Sequence, residues 1–216
     1  MVLTFLDANA LVPSFTRTLL VMAAPLSDFS ISWSLRTELE AERHQKLGAV
    51  PISTLRQRFS WNVLVSDCDL ELDDTDVKDR PIISAASHAG ADGIVTENVK
   101  DFGRSDLSKL GMSVVHPDLF LATRLNPMVY RDILARLAKN RTRTPHTDSE
   151  IHRIETGEQL PLLAQRMKNE YAIQPNAPTK GAPRLYFRGV RCVACNSFLQ
   201  DDVSLNLGLD PGCRVD

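Results

Sequence analysis

Short apolar runs that end at a carboxylate or lead to one recur along the first half of this chain, and they constrain its fold more than any other feature. Val2-Leu3-Thr4-Phe5-Leu6 stops at Asp7, and Gly93-Ile94-Val95-Thr96 leads to Asp101. A continuous apolar run of four to eight residues, closed by polar or turn residues, reads as a strand buried on both faces. Asp79 opens the helically periodic stretch Pro81-Ile82-Ile83-Ser84-Ala85-Ala86, and Glu40 lies in a predicted helix after Trp33. In an open α/β sheet, ligands bind outside the carboxyl ends of the strands. The acids therefore fall where such a fold would place a site.

The rest of the pattern alternates in the same way. Predicted strands cover Leu3 to Leu6, Ser27 to Ser32, Val63 to Val65, Gly93 to Thr96 and Met112 to Val115. Between them lie predicted helices from Ala10 to Ala24, from Ser34 as N-cap to Leu47, from Ile52 to Trp61 and from Asp79 to Ala89. Another, started by Pro117 and Asp118, covers Leu119 to Leu125. Strands alternating with helices predict a parallel sheet covered on both faces, and right-handed crossovers leave few topologies. Beyond Pro127 the pattern is helical only. Val129, Ile133, Leu134 and Leu137 form one stripe; helices follow from His146 to Glu155 and from Glu158 to Tyr171. Gln174 to Pro183 carries three prolines and reads as a linker. Arg184 to Asp216 shows no period. The expected organisation is a domain over 1–171 with extra C-terminal helices, then a linker and irregular tail over 172–216.

A chain of 216 residues with 43 % hydrophobic and 24 % charged residues has the composition of a globular protein. A net charge of −2 argues against wholesale coating of nucleic acid but leaves room for a local basic patch. No apolar run reaches the roughly 18 residues that span a bilayer, and the N-terminus lacks the basic region and cleavage site of a signal peptide. A cytoplasmic protein with no membrane partner is expected. Four cysteines do not make a disulfide scaffold at this length. Cys68 reads as a small core residue. Cys192 and Cys195 form a C-x-x-C to which Cys213 alone could add a third ligand, and the expectation is free thiols in the tail.

Each candidate position has an ordinary alternative. Asp7 and Asn9 could be turn formers. Asp79 could be an N-cap, which leaves one carboxylate oxygen for other work. Glu40 competes with Glu38 and Glu42, which point in separate directions at 100° per residue. Asp101 could belong to a polar loop, with Thr96 and Asn98 as hydrogen-bonding support. Several carboxylates meeting at one edge repel one another unless a divalent cation holds them, and an oxygen-rich set suits Mg²⁺ or Mn²⁺. The expectation is a site with Asp7, Asp79 and Asp101 as metal ligands, and with one of the helix acids, Glu40, Glu38 or Glu42, beside them. No H-E-x-x-H, G-x-S-x-G or Gly-rich phosphate loop competes with it.

Four segments, FLDANALVP at 5–13, ISWSLRTELEAE at 31–42, DVKDRPIISAASHAGADGIVTENVKDF at 76–102 and SVVHPDLFL at 113–121, resemble the PIN-domain ribonucleases. Within these they are similar to the VapC-type toxins of bacterial toxin–antitoxin pairs. The resemblance covers about residues 1–171, and the tail has no counterpart in it. It implies a three-layer α/β/α sandwich with a central parallel sheet and a Mg²⁺- or Mn²⁺-dependent endoribonuclease. In it, a metal-activated water cleaves RNA to a 3′-hydroxyl and a 5′-phosphate. The family's acids fall on Asp7, Glu40 (with Glu38 as fallback), Asp79 and Asp101; Asn98 and Thr96 match polar positions near the fourth acid. Pro81 departs from the family but sits in a helix's first turn, where proline costs little.

The resemblance also implies an RNA substrate, a cognate antitoxin and a homodimer; Leu119, Phe120 and Leu125 are candidates for its interface or equally for the core. Basic groups must offset the acids before RNA can bind; Arg36, Arg43, Lys100 and Arg104 are the candidates, together with Lys46 and the Arg141–Arg143 cluster. A housekeeping RNA-processing nuclease and a non-catalytic binding module on the same fold are the alternative readings.

Overall fold

In the computed structural model, which describes residues 1–59, 63–181, 183 and 185–214, one six-stranded sheet organises the chain. Its strands are β1 (Val2–Leu6), β2 (Phe29–Ser34), β3 (Val63–Val65), β4 (Gly93–Val95), β5 (Ser113–Val115) and β6 (Phe187–Gly189). They lie in the order β3-β2-β1-β4-β5-β6. The first five are parallel, and β6 pairs antiparallel with β5, Val114 opposite Arg188. The order grows outward from β1 in two directions, so the chain reverses its progress across the sheet between β1 and β4.

The helices are α1 (Ala8–Leu11), α2 (Ser14–Ala23), α3 (Leu35–His44), α4 (Ile52–Arg58), α5 (Arg80–His88), α6 (Arg104–Leu110), α7 (Pro117–Arg124) and α8 (Pro127–Asn140). Shorter pieces follow: α9 (Asp148–Ile151), a π-helical turn over His152–Thr156, α10 (Gly157–Gln159), α11 (Pro161–Arg166), α12 (Lys168–Tyr171) and α13 (Asp202–Leu207). Among the described residues, no helix is long and apolar enough to cross a membrane.

Alternation of side chains along the strands divides the core into two layers. Phe5, Ile94 and Val114 face one side, where they meet Ile83 and Ala86 of α5 and Leu107 of α6. Leu6, Val95 and Val115 face the other, packed with Leu19 and Leu20 of α2, Leu121 of α7, Tyr130 and Leu134 of α8 and Leu163 of α11. β1, β4 and β5 are thus apolar on both faces, which is why they read as continuous runs rather than alternating ones.

Several expectations are corrected. The sheet is mixed rather than wholly parallel, because the tail expected to be irregular supplies β6 and α13. The helix expected over Ala10–Ala24 breaks at Pro13, and the one expected to reach Leu47 stops at His44. The helix expected to reach Trp61 ends at Arg58, with Trp61 outside the described residues. Phe120 and Leu125 are core residues, and Leu119 is packed partly against the core.

The register of β6 depends on a glycine. Gly189 has φ of 152°, and a Cβ there would lie 2.3 Å from Ser113 Oγ and 2.4 Å from Ser113 Cα. Ser113 Oγ also accepts the Val190 and Arg191 amides at 3.1 and 2.8 Å. Gly189→Ala is therefore expected to cost about 2–4 kcal/mol, through overpacking and a strained φ. Urea unfolding of the two proteins measures it.

Candidate functional site

Asp7 follows β1 and Thr96 follows β4, so both stand at the reversal point, on the sheet edge where open α/β folds form their ligand crevice. Asp7 is 2 % exposed. Its Oδ1 accepts the Ala8 amide at 2.6 Å; its Oδ2 accepts the Thr96 hydroxyl at 2.6 Å and the Asn9 amide nitrogen at 3.2 Å. The Thr96 hydroxyl in turn accepts the Asn98 backbone N–H at 3.1 Å. Asn9 and Thr96 thus both hold the Asp7 carboxylate, whereas the expectation placed Thr96 beside Asp101. Asn98 contributes through its backbone. Burial holds the Asp7 carboxyl above the usual carboxylate range; the bonds from Thr96 and Ala8 oppose this, and the nearby charge of Glu40 adds to it.

Asp79 sits at the N-cap position of α5, yet its side chain makes no capping bond. The carboxylate is buried, and its Oδ2 has no hydrogen-bond partner. Burial raises its pKa from the ordinary 3.8 to about 7; the ammonium of Lys78 lowers it, while the charges of Asp7, Asp101 and Asp76 raise it. An acid poised there exchanges a proton at neutral pH. Asp101 closes a 3₁₀ turn over Val99–Asp101, and its Oδ2 lies 3.6 Å from Lys78 Nζ. Lys78 also approaches Asp76 Oδ2 at 3.9 Å.

Two turns hold these acids in place. Asp106, fully buried on α6, accepts the amides of Asp73, Asp74 and Thr75 at 3.3, 3.0 and 2.9 Å. Thr75 Oγ1 accepts the Gly103 amide, and the Asp76 amide reaches the Asp101 carbonyl at 3.1 Å. The segment before Asp79 and the one around Asp101 are therefore stitched together.

Trp33 gives the helix acids different surroundings. Its indole is fully buried and needs an acceptor, which Glu38 Oε2 supplies at 2.9 Å. Glu38 is further held by Arg56, 3.0 Å away. Glu40, two residues further along α3, is exposed and near enough to act on Asp7. Of the expected acids, Asp7 and Asp101 are each near enough to act on Asp79 through their charge, and Glu40 acts on Asp7.

The expectation of a Mg²⁺ or Mn²⁺ site is corrected. Among the described residues, no three of these acids bring ligating oxygens within 4.8 Å of one another; the one group that does so is Cys192, Cys195 and Cys213. The physical reason lies in the partners. Asp7's two oxygens carry three hydrogen bonds, Asp101 faces an ammonium, and Asp79 holds a proton to about neutral pH. Lys78 supplies the countercharge that the expectation assigned to a metal.

Beside this edge a cleft of about 560 Å³ opens between Val12, Pro13, Thr16, Glu97, His116 and Lys180. Burial, with Lys180 nearby, lowers the His116 pKa to about 4, so the ring is neutral at physiological pH, and its Nδ1 accepts the Asp118 amide. Arg36, Arg43, Lys100 and Arg104 are exposed and, among the described residues, form no ion pair. Arg141 is held by Glu155. Sequence reasoning missed Lys78 and Asp106. The signal for Lys78 was its place in an acidic stretch; for Asp106 none was available, since its role depends on a loop 31 to 33 residues away.

Searches against protein-family models, curated proteins and solved structures find no match to this chain.

Between about pH 4 and 7 the folded protein keeps a proton on Asp79 that the unfolded chain has lost. Ionising Asp79 therefore costs stability progressively across that window, and fully above it. Asp79→Asn is expected to leave Tm unchanged near pH 4 and to raise it by about 3–8 °C at pH 8. Thermal melts across this range test the sign.

Proposed function

We propose that this chain is an endoribonuclease with a PIN-like fold, the toxin of a toxin–antitoxin pair, and that it hydrolyses RNA at the Asp7–Asp79–Asp101 edge. The observation that carries the reading is Asp79: a buried carboxylate with one oxygen unpartnered, no capping duty and a pKa near 7. Its place at the sheet's reversal point supports it, as does the resemblance of residues 76–102 to the nuclease family.

In this reading ionised Asp79 takes a proton from the attacking water as it closes on the scissile phosphorus. The new P–O bond forms as the bond to the 3′-oxygen breaks; the departing 3′-oxygen takes a proton from solvent water and Asp79 returns its proton to solvent, leaving a 3′-hydroxyl and a 5′-phosphate. Lys78 offsets the charge that develops on the phosphate oxygens. Asp7, fixed by Thr96, and Asp101 keep Asp79 basic through their charge. Exposed Arg36, Arg43, Lys100 and Arg104 attract the RNA backbone, and the cleft beside Glu97 receives the flanking nucleotide. A cognate antitoxin would cover this edge.

Cleavage of a mixed RNA pool by the purified protein tests the reading. Activity is expected to rise with pH through about 7 and to fall by about 10²–10⁴-fold in Asp79→Asn. Cleavage unchanged in Asp79→Asn, or no cleavage of any RNA by folded protein, would refute it; the latter outcome favours a binding module.

A further inference from the structure

The thiols at the other end of the molecule are placed as ligands. Cys192 and Cys195 share a tight turn: the Asn196 amide donates to the Cys192 carbonyl at 2.9 Å, the Cys192 amide to the Ser197 carbonyl at 2.8 Å, and Asn196 adopts φ of 64°. Cys213 arrives on a second turn, Pro211–Cys213, fixed by its amide to the Asp210 carbonyl at 2.8 Å and by the Gly212 amide to Asp210 Oδ1 at 3.0 Å. The three sulfurs lie within 4.8 Å of one another, and none is in a disulfide. Cys192 is buried, and its sulfur accepts the Asp210 amide at 3.2 Å; Cys195 is exposed, with its sulfur 3.0 Å from Ser197 Oγ.

We infer that Cys192, Cys195 and Cys213 bind one soft divalent cation of the Zn²⁺ class, which fastens the C-terminal segment to the sheet. Two rigid turns that meet only in the folded chain present three sulfurs, whereas a disulfide would use two and strand the third. A tetrahedral ion about 2.3 Å from each sulfur spaces them about 3.8 Å apart, within reach by small side-chain rotations. Sulfur donors select Zn²⁺ over the hard ions that prefer oxygen. The Asp210 amide orients the Cys192 sulfur, as groups behind a metal ligand do. The fourth position stays open to water on the side of exposed Cys195.

The frame around the thiols is anchored at the amino ends of the strands, away from the acids. Asn196 Nδ2 donates to Asp92 Oδ1 at 2.9 Å, and Arg124 Nε donates to the Val193 carbonyl at 2.6 Å. From there β6 runs back along β5, and Arg188 donates to the carbonyls of Lys100 and Phe102, on either side of Asp101. An ion at the thiols therefore stabilises the strand that braces the Asp101 turn.

The reduced full-length protein, titrated with Co²⁺ as spectroscopic stand-in and then with Zn²⁺, decides the matter. The expected result is a thiolate-to-cobalt charge-transfer band saturating at one equivalent and bleached by Zn²⁺. Zn²⁺ should also raise Tm by about 5–10 °C at 100-fold excess over Kd. Cys195→Ser, at an exposed position that leaves the fold intact, should lose both effects, and Cys68→Ser should keep both. Absence of the band in folded, reduced protein would overturn the inference, as would an equal Zn²⁺ shift in Cys195→Ser. Because the readout is spectroscopic and thermal, it stands or falls independently of RNA cleavage.

Discussion

The short hydrogen bond from the Thr96 hydroxyl to the buried Asp7 carboxylate joins the ends of the two strands between which the sheet reverses. It satisfies a charge that would otherwise be costly to bury, and it fixes that charge beside Asp79. Asp79 Oδ2 has no such donor; burial raises the pKa of both carboxyls, opposed at Asp7 by the bonds from Thr96 and Ala8 and at Asp79 by the charge of Lys78. One carboxylate is spent on structure and the next is left reactive. That division follows from topology, because only the reversal point lets a side chain after β1 meet one after β4.

Strands were legible where burial on both faces made them uniformly apolar, as in Leu3–Leu6 and Gly93–Val95. β6 was not: Phe187-Arg188-Gly189 has no pattern of its own and becomes a strand only by pairing with β5. The helix α6 was missed for a related reason. Its sequence, RSDLSKL, offers one fully buried apolar residue, Leu107, and its most consequential side chain is a buried aspartate whose partners are distant in sequence.

The candidate site was half readable. Acids at strand ends and helix starts named Asp7, Asp79 and Asp101, but their count suggested a metal where the structure has a lysine. Spacing alone could not separate Glu40 from Glu38; the fold gives them different surroundings, Glu38 engaged by the buried indole of Trp33 and Glu40 exposed. The C-x-x-C read as free thiols because Cys213 lies 18 residues beyond Cys195 in the chain, and only the fold brings it back. Acids at one edge of the sheet and thiols at the other leave proton chemistry and structural reinforcement to separate groups, linked through β6 and Arg188.

The central claim is that the buried Asp79 carboxyl changes its protonation near pH 7. A carboxyl-carbon NMR titration of the aspartates tests it most directly. The account predicts one resonance with a midpoint near 7 that is absent in Asp79→Asn. If the resonance that Asp79→Asn removes titrates below pH 5, the account is wrong.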